Sequence, residues 1–220
     1  MAVKREKLIL FHSNRLFIEN GYDNTTMRQV AQEAQVSLGL ATYHFQSKRR
    51  LAVMVIGRYL EYLKGVVMQL VDAKSQPMVS SAAMVRLAIE FFLSHPCKQF
   101  YLDCLERDIY TEAIQAQGNQ SMKGIMTMYQ FGVSEEMMAL FDNYVPPAVE
   151  KILILEKEKG NFPNTTYDEV PEIVFSVSVD RFLGRDVIRQ AVQDGKQVAQ
   201  EALVAIPKNI TSTLFLDEFD

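Results

Sequence analysis

Apolar side chains recur at helical spacing along nearly the whole chain, and the elements they predict are helices throughout. A first helix is expected from about Lys4 to Asn20, stopped by Gly21, a residue suited to the position just past a helix end. Thr25 and Thr26 precede a short run in which Val30, Ala31 and Ala34 share one face, so one of the two threonines caps a second helix. Ser37 is placed to cap a third, whose inward side is Ala41 and Phe45 at i and i+4. A long helix follows Ser47, with Leu51, Val55, Tyr59, Leu63, Val66, Val67 and Leu70 on its stripe, ending near Ser75–Pro77. Further helices are expected at Ser80–Ser94, closed by Pro96, and at Cys97–Ala116. Ser121–Tyr144 has helical bias interrupted by Gly132 and Ser134. Pro146 and Pro147 start a helix that runs to Lys159 and stops at Gly160; a loop leads to Thr166, and two last helices span Asp168–Leu183 and Arg185–Ala205. Beyond Pro207 the apolar Leu214, Phe215 and Leu216 lead into Asp217, Glu218 and Asp220, a tail that docks or frays.

The third helix is unusual in what it leaves outside. With Ala41 and Phe45 inward, its outer side carries Leu38, Gly39, Leu40, Thr42, Tyr43 and His44. Two leucines on one exposed turn are out of place on a solvated surface, and fit a major groove, where apolar side chains pack on thymine methyls. Helix, tight turn and groove-facing helix form a DNA-binding unit.

The residues that carry this unit also carry a family resemblance. Leu16–Tyr22 (LFIENGY), Thr25-Thr26, Val30–Ala34 (VAQEA), Val36-Ser37 with Gly39, and His44-Phe45 with Ser47-Lys48 stand in one order and spacing. From about Val3 to Leu51 the chain resembles the N-terminal domain of the tetracycline-repressor (TetR) family. The resemblance implies a three-helix helix–turn–helix head followed by a helical ligand-binding and dimerisation domain. It also implies a ligand cavity among the body's helices, and a last helix pair that joins its copy in a four-helix bundle. Two positions depart from the family pattern. Gln35 stands where the turn usually has Gly, which places a non-glycine residue at positive φ. Thr42 stands where the family usually has Tyr, with Tyr43 beside it.

Charge sharpens this picture. The net charge is −4, an odd value for a DNA binder until it is divided along the chain. Residues 1–50 carry eight basic groups (Lys4, Arg5, Lys7, Arg15, Arg28, Lys48, Arg49, Arg50) against four acidic ones (Glu6, Glu19, Asp23, Glu33). A basic end on an acidic remainder places the phosphate-facing surface at the N-terminus. The division expected is therefore residues 1–50 for DNA and 51–220 for effector binding and dimerisation.

Among the first residues, Arg28 is suited to a bidentate contact with guanine, and Leu38 and Leu40 to thymine methyls. Thr26, Thr42, Tyr43, His44 and Lys48 are suited to phosphate, with Ser37 and Gly39 at the start of the reading helix. In the body, Phe91, Phe92, Tyr101, Tyr110, Met122, Met126, Tyr129 and Phe141 are candidates for the effector cavity; residues of these types fill an ordinary core equally well. Ile173, Val174, Val177, Phe182, Val187, Ile188 and Val198 are candidates for the dimer interface, or for closing the subunit's own core. The dimer is favoured because two reading helices must lie about 34–36 Å apart, one turn of DNA.

With 48% hydrophobic residues the chain can bury a substantial core. It has no run of 18 apolar residues and no signal-peptide pattern, so a cytoplasmic location without a membrane partner is expected. Cys97 and Cys104, seven residues apart, are expected as buried thiols. No nucleophile elbow, phosphate loop or dinucleotide fingerprint is present, and His12, His44 and His95 have no partners at metal spacing. The sequence reads as a homodimeric, non-enzymatic, ligand-responsive transcriptional repressor that binds an inverted-repeat operator and needs no cofactor. Two alternatives stay open: a regulator of the same fold that answers to a protein partner or activates, and an all-helical enzyme or carrier with an incidental helix–turn–helix.

Overall fold

The computed structural model describes residues 2–94, 96–117, 125, 128, 129, 132, 134–180 and 183–215. Among these residues the regular elements are all helices: α1 (Ala2–Asn20), α2 (Met27–Glu33), α3 (Leu38–Phe45), α4 (Lys48–Leu70), α5 (Pro77–Leu93), α6 (Lys98–Glu106), α7 (Ile109–Gln117), α8 (Glu135–Asn143), α9 (Val145–Glu158), α10 (Val170–Val179), α11 (Arg185–Ala205) and α12 (Ile210–Thr213). No single helix among the described residues is long and apolar enough to cross a membrane. Met122, Met126, Phe182, His95 and the acidic tail beyond Phe215 lie outside the described residues.

Helix ends fall where local chemistry puts them. Gly21 stops α1 at φ +77°, and its N–H returns to the Phe17 carbonyl (3.0 Å). Gly160 takes φ +84° after α9. Three expectations need correction. The helix after Ser47 stops at Leu70, because Asp72 folds the chain back: its carboxylate accepts from the Lys74 N–H (3.0 Å) and the Ser75 hydroxyl (2.8 Å). The next helix begins at Pro77 rather than Ser80, since a proline's missing N–H costs nothing in the first turn. The single helix expected over Cys97–Ala116 is two, parted at Asp108 with φ +57°, a left-handed conformation that Asp tolerates. The buried Cys97 therefore precedes α6 while Cys104 lies within it, and burial raises both thiols, Cys97 to about 12.

The helices group into two compact units. One gathers residues up to 59, 92–113 and the chain from 207 on; the other holds 60–91 and 114–206. Compactness thus draws a different line from a boundary at residue 50. In the first unit, α1, α2 and α3 pack on one another, α1 also packs on α6 and α12, and Phe17 stacks on Phe100 at 4.9 Å between centroids. In the second, α10 packs on both α9 and α11, and Met78, Ala82, Ile125, Phe175, Val179, Ile188 and Ala191 form a core cluster. The inward side of α11 is Ile188, Ala191, Gly195, Ala199 and Ala202, small residues that bring it close to α5. A Cβ on Gly195 would stand 2.7 Å from Ala82 Cβ and 2.8 Å from the Ala83 nitrogen.

The second unit also holds a buried cation. Arg86, fully enclosed, reaches Glu90 (2.9 Å), Asp168 (2.7 Å) and Glu172 (3.5 Å), and donates to the Asp168 carbonyl (2.9 Å). Lys196 completes the group on Asp168 (2.6 Å); hydrogen bonds from Lys196 and Arg86 hold that carboxyl below its ordinary range.

Candidate nucleic-acid interface

The helix–turn–helix is assembled from the local signals its residues carry. Thr26 caps α2: its hydroxyl accepts from the Gln29 N–H (3.2 Å), while the Gln29 side chain accepts from the Thr26 N–H (2.8 Å), a reciprocal capping box. Thr25 is buried instead, and its hydroxyl is shared between the Leu16 (3.1 Å) and Gly21 (2.9 Å) carbonyls. The turn passes through Gln35 at φ +53°, the positive φ expected of this position. Ser37 then caps α3 through the Leu40 N–H (3.1 Å). Val30, Ala31, Ala34, Ala41 and Phe45 are all buried beneath.

The end of α3 carries more strain than its start. Gln46 sits at φ +62°, ψ −46°, and the Ser47 N–H returns to the Phe45 carbonyl at 2.6 Å, the hydrogen bond of a three-residue γ-turn. Two non-glycine residues at positive φ therefore bracket the eight residues of α3.

The outer side of α3 is open. Leu38, Gly39, Thr42 and Tyr43 are exposed, Tyr43 to 80%, and Leu40 is half-buried. Thr26, Ser37 and Arg28 are exposed beside them. Among the described residues no carboxylate pairs with Arg28. Nothing in the fold requires glycine at position 39: a Cβ there would meet only Ser37 Oγ, at 4.0 Å.

Two candidates are turned inward. His44 Nδ1 lies 2.7 Å from Glu6 Oε1, fastening α3 to α1. Lys48 donates its ammonium to the Tyr22 (2.8 Å) and Asp23 (3.4 Å) carbonyls and sits 4.1 Å over the Tyr22 ring, and burial lowers its pKa. Both are half-buried. A lysine on these carbonyls satisfies acceptors in the turn that follows α1.

Asp103, which the sequence reading did not single out, supports the same corner. Its carboxylate accepts from the Tyr22 N–H (2.7 Å) and from Gln99 (2.8 Å). A side chain at residue 21 would strike it, since a Cβ there would stand 3.0 Å from Asp103 Oδ2. Arg107 pairs with Asp23 (2.6 Å) alongside. Position 103, three residues after the buried Phe100, marks an acid on an apolar face; that spacing was the available signal.

With this geometry in view, residues 9–55 match the family model described as bacterial regulatory proteins, tetR family. The chain carries a TetR-family head. Two relatives each align over about two-fifths of the chain. An uncharacterized HTH-type transcriptional regulator of Bacillus subtilis (strain 168), YuxN, is 24% identical over 92 residues, 42% of this chain and 32% of its own. The HTH-type transcriptional repressor KstR2 of Mycolicibacterium smegmatis is 26% identical over 89 residues, 40% of this chain and 43% of its own. The aligned stretch thus spans less than half the length of either relative. A gamma-butyrolactone receptor (ArpA-like protein) aligns over 91% of this chain and 98% of its own, with a TM-score of 0.48 at 12% identity.

The effector candidates divide. Phe92, Tyr101 and Tyr110 are fully buried and pack ring on ring at 5.1–5.9 Å, and Phe91 is buried as well. Phe141 is half-buried. Tyr129 is partly exposed and lines a groove of about 460 Å³ with residues of α5 and α11, among them Met78, Val187, Gln190 and Asp194. The dimer candidates divide too. Val174 and Ile188 are buried in their own unit, Val177 and Val198 are half-buried, and Ile173 (38%) and Val187 (41%) are exposed. Leu203 (37%) and Val204 (88%) add exposed apolar surface near the end of α11 that the sequence reading did not name.

Proposed function

We propose that the protein is a DNA-binding transcriptional regulator, acting as a ligand-responsive repressor on an inverted-repeat operator as a homodimer. The observation that carries this reading is the outer side of α3, where Leu38, Gly39, Thr42 and Tyr43 face outward on a helix fixed at both ends. Leu38 meets thymine methyls, and Arg28 reads a guanine edge from α2. Thr26, Ser37, Thr42 and Tyr43 hold phosphates and set register without specifying sequence. His44 and Lys48 act behind the surface, fixing α3 and the start of α4 so that these groups present themselves together.

The repressor KstR2 among the relatives favours repression as the outcome. Ile173, Val187, Leu203 and Val204 are the apolar positions through which two copies associate. The groove beside Tyr129 suits an effector, its volume being in the range that holds small ligands.

Selection of bound duplexes from a random pool by the purified protein, then titration of the winner across a salt series, tests the reading. An inverted repeat with steep salt dependence is the expected result. A folded, dimeric protein that enriches no sequence, with and without candidate effectors, would overturn it.

A further inference from the structure

The unit that contains the helix–turn–helix draws on residues distant in sequence: the stretch from 207 on belongs to it together with α1, α2 and α3. The short α12 within that stretch packs on α1. Ile210 and Phe215 are buried, the latter to 2% exposure. The Phe215 ring stands edge-on to Tyr59 at 5.8 Å between centroids, and Phe92 meets the same tyrosine edge-on at 5.9 Å.

Asn14 of α1, 2% exposed, uses both ends of its amide. Its oxygen accepts from the Tyr59 hydroxyl (2.7 Å). Its nitrogen donates to the Thr211 carbonyl (2.7 Å), one of those that so short a helix leaves open. A buried amide donor left unpaired is strongly disfavoured, so Asn14 ties the seating of α1 to the presence of this segment. The two motif helices are in turn fastened to α1. Arg15, next to Asn14, pairs with Glu33 of α2, and Glu6, about two turns earlier, holds His44 of α3 (2.7 Å). Every one of these groups lies within the one unit.

We propose that Pro207–Phe215 is a built-in ligand of the DNA-binding head: seated on Asn14 and Tyr59, it holds α1 where α2 and α3 meet DNA together. Phe215 and Asn14 are thus positioning residues for operator binding, although both are buried. This rests on the DNA-binding reading above. A head whose segment is unseated samples placements of α1 that do not bind. The measured Kd is then the intrinsic one divided by the fraction of heads that are competent.

The test uses the full chain on the operator selected from the random pool, with Phe215→Ala, Phe215→Leu and Asn14→Asp in the head. An aspartate still accepts from Tyr59 and has no N–H for the Thr211 carbonyl. Gly195→Ala, a core change in the other unit, controls for general loss of stability. At a temperature where each variant is folded, Phe215→Ala and Asn14→Asp should lower amide-exchange protection of α1 around Asn14. Operator Kd should rise about three- to tenfold in both, as the competent fraction falls to about a third to a tenth. The salt slope should not change, since the phosphate contacts themselves are kept. Phe215→Leu, still apolar, should recover most of the affinity, and Asn14→Asp is the variant to read if Phe215→Ala fails to fold. Gly195→Ala should lower Tm yet leave operator Kd within about twofold. Lowered α1 protection with Kd within about twofold of the unmodified chain would overturn the proposal, as would an equal rise in Gly195→Ala. Unchanged α1 protection would refute the docking itself. An unmodified chain that selects no duplex would bring down the DNA-binding reading and the segment's role with it, while α1 protection would still report whether the segment is seated.

Discussion

Replacing Gly39 by alanine should move stability and DNA affinity in opposite directions. Gly39 lies inside α3 with no special backbone angle, is exposed, and has no neighbour nearer a built Cβ than Ser37 Oγ at 4.0 Å. Alanine is favoured over glycine by about 0.8–1.0 kcal/mol in a helix interior, an upper bound for Gly39 in the first turn, and nothing in the protein opposes the added methyl. A chain of this size should gain roughly 2–4 °C in Tm for about 1 kcal/mol. The fold alone therefore gives no reason for glycine here. Close approach of a ligand to the backbone does. If the first turn of α3 enters the major groove, the methyl occupies space the DNA needs, and operator affinity should fall by about 1–3 kcal/mol. Denaturant unfolding and equilibrium titration on the selected operator measure the two effects in one preparation. Unchanged affinity would place the start of α3 away from the bases, and lost stability would mean that the space around residue 39 has been misjudged.

Other expectations follow from the same structure. Arg28→Ala should cost about 1–3 kcal/mol and relax preference at one base pair per half-site, read by repeating the selection. Lys48→Met should instead lower the head's Tm, because the carbonyls of Tyr22 and Asp23 lose their donor; an unchanged Tm with a shallower salt slope would return Lys48 to phosphate binding. Gly195→Ala should destabilise by about 1–2 kcal/mol, since its Cβ would overlap Ala82 and the Ala83 backbone. The same change at Gly65, which has nothing within 4 Å, should stabilise by about 0.5–1 kcal/mol; matched denaturation midpoints would refute the packing argument. His12 has its pKa lowered by burial and then by Arg15, so the unfolded chain binds the proton more readily. Its contribution is complete above about pH 6.5 and is lost as pH falls through the folded value, so His12→Gln should flatten the Tm-against-pH curve just below pH 6.5.

The head was legible because its signals are local. Thr26, Ser37 and Gly21 each declare a helix boundary within three or four residues, and Gln35 announces its own backbone by standing where glycine is expected. The break at Asp108 was not legible, since neither glycine nor proline marks it and Asp takes up the left-handed angle without warning. Lys48 and His44 read as phosphate ligands because sequence gives charge but not direction. Their targets, the Tyr22 and Asp23 carbonyls and Glu6, lie 25–38 positions away along the chain. The aromatic residues of the middle hid a similar ambiguity: Phe92, Tyr101 and Tyr110 saturate one another, which spacing cannot distinguish from lining a hollow. Arg86 was missed although it shares the face of Ala82 and Ala83, where a lone cation should have prompted a search for acids.

The bracketing of α3 separates two jobs that most binding surfaces mix. Gln35, Ser37, Ala41, Phe45 and Gln46 hold the helix in place from its ends and underside, while positions 38, 39, 42 and 43 contribute little to holding it. On the proposed division of roles, base preference can therefore be changed at the exposed Leu38 and Arg28 without touching these supports, and a library randomised at those two positions should return folded proteins with altered preferences in high yield. The scaffold is inherited whole; its address is rewritable.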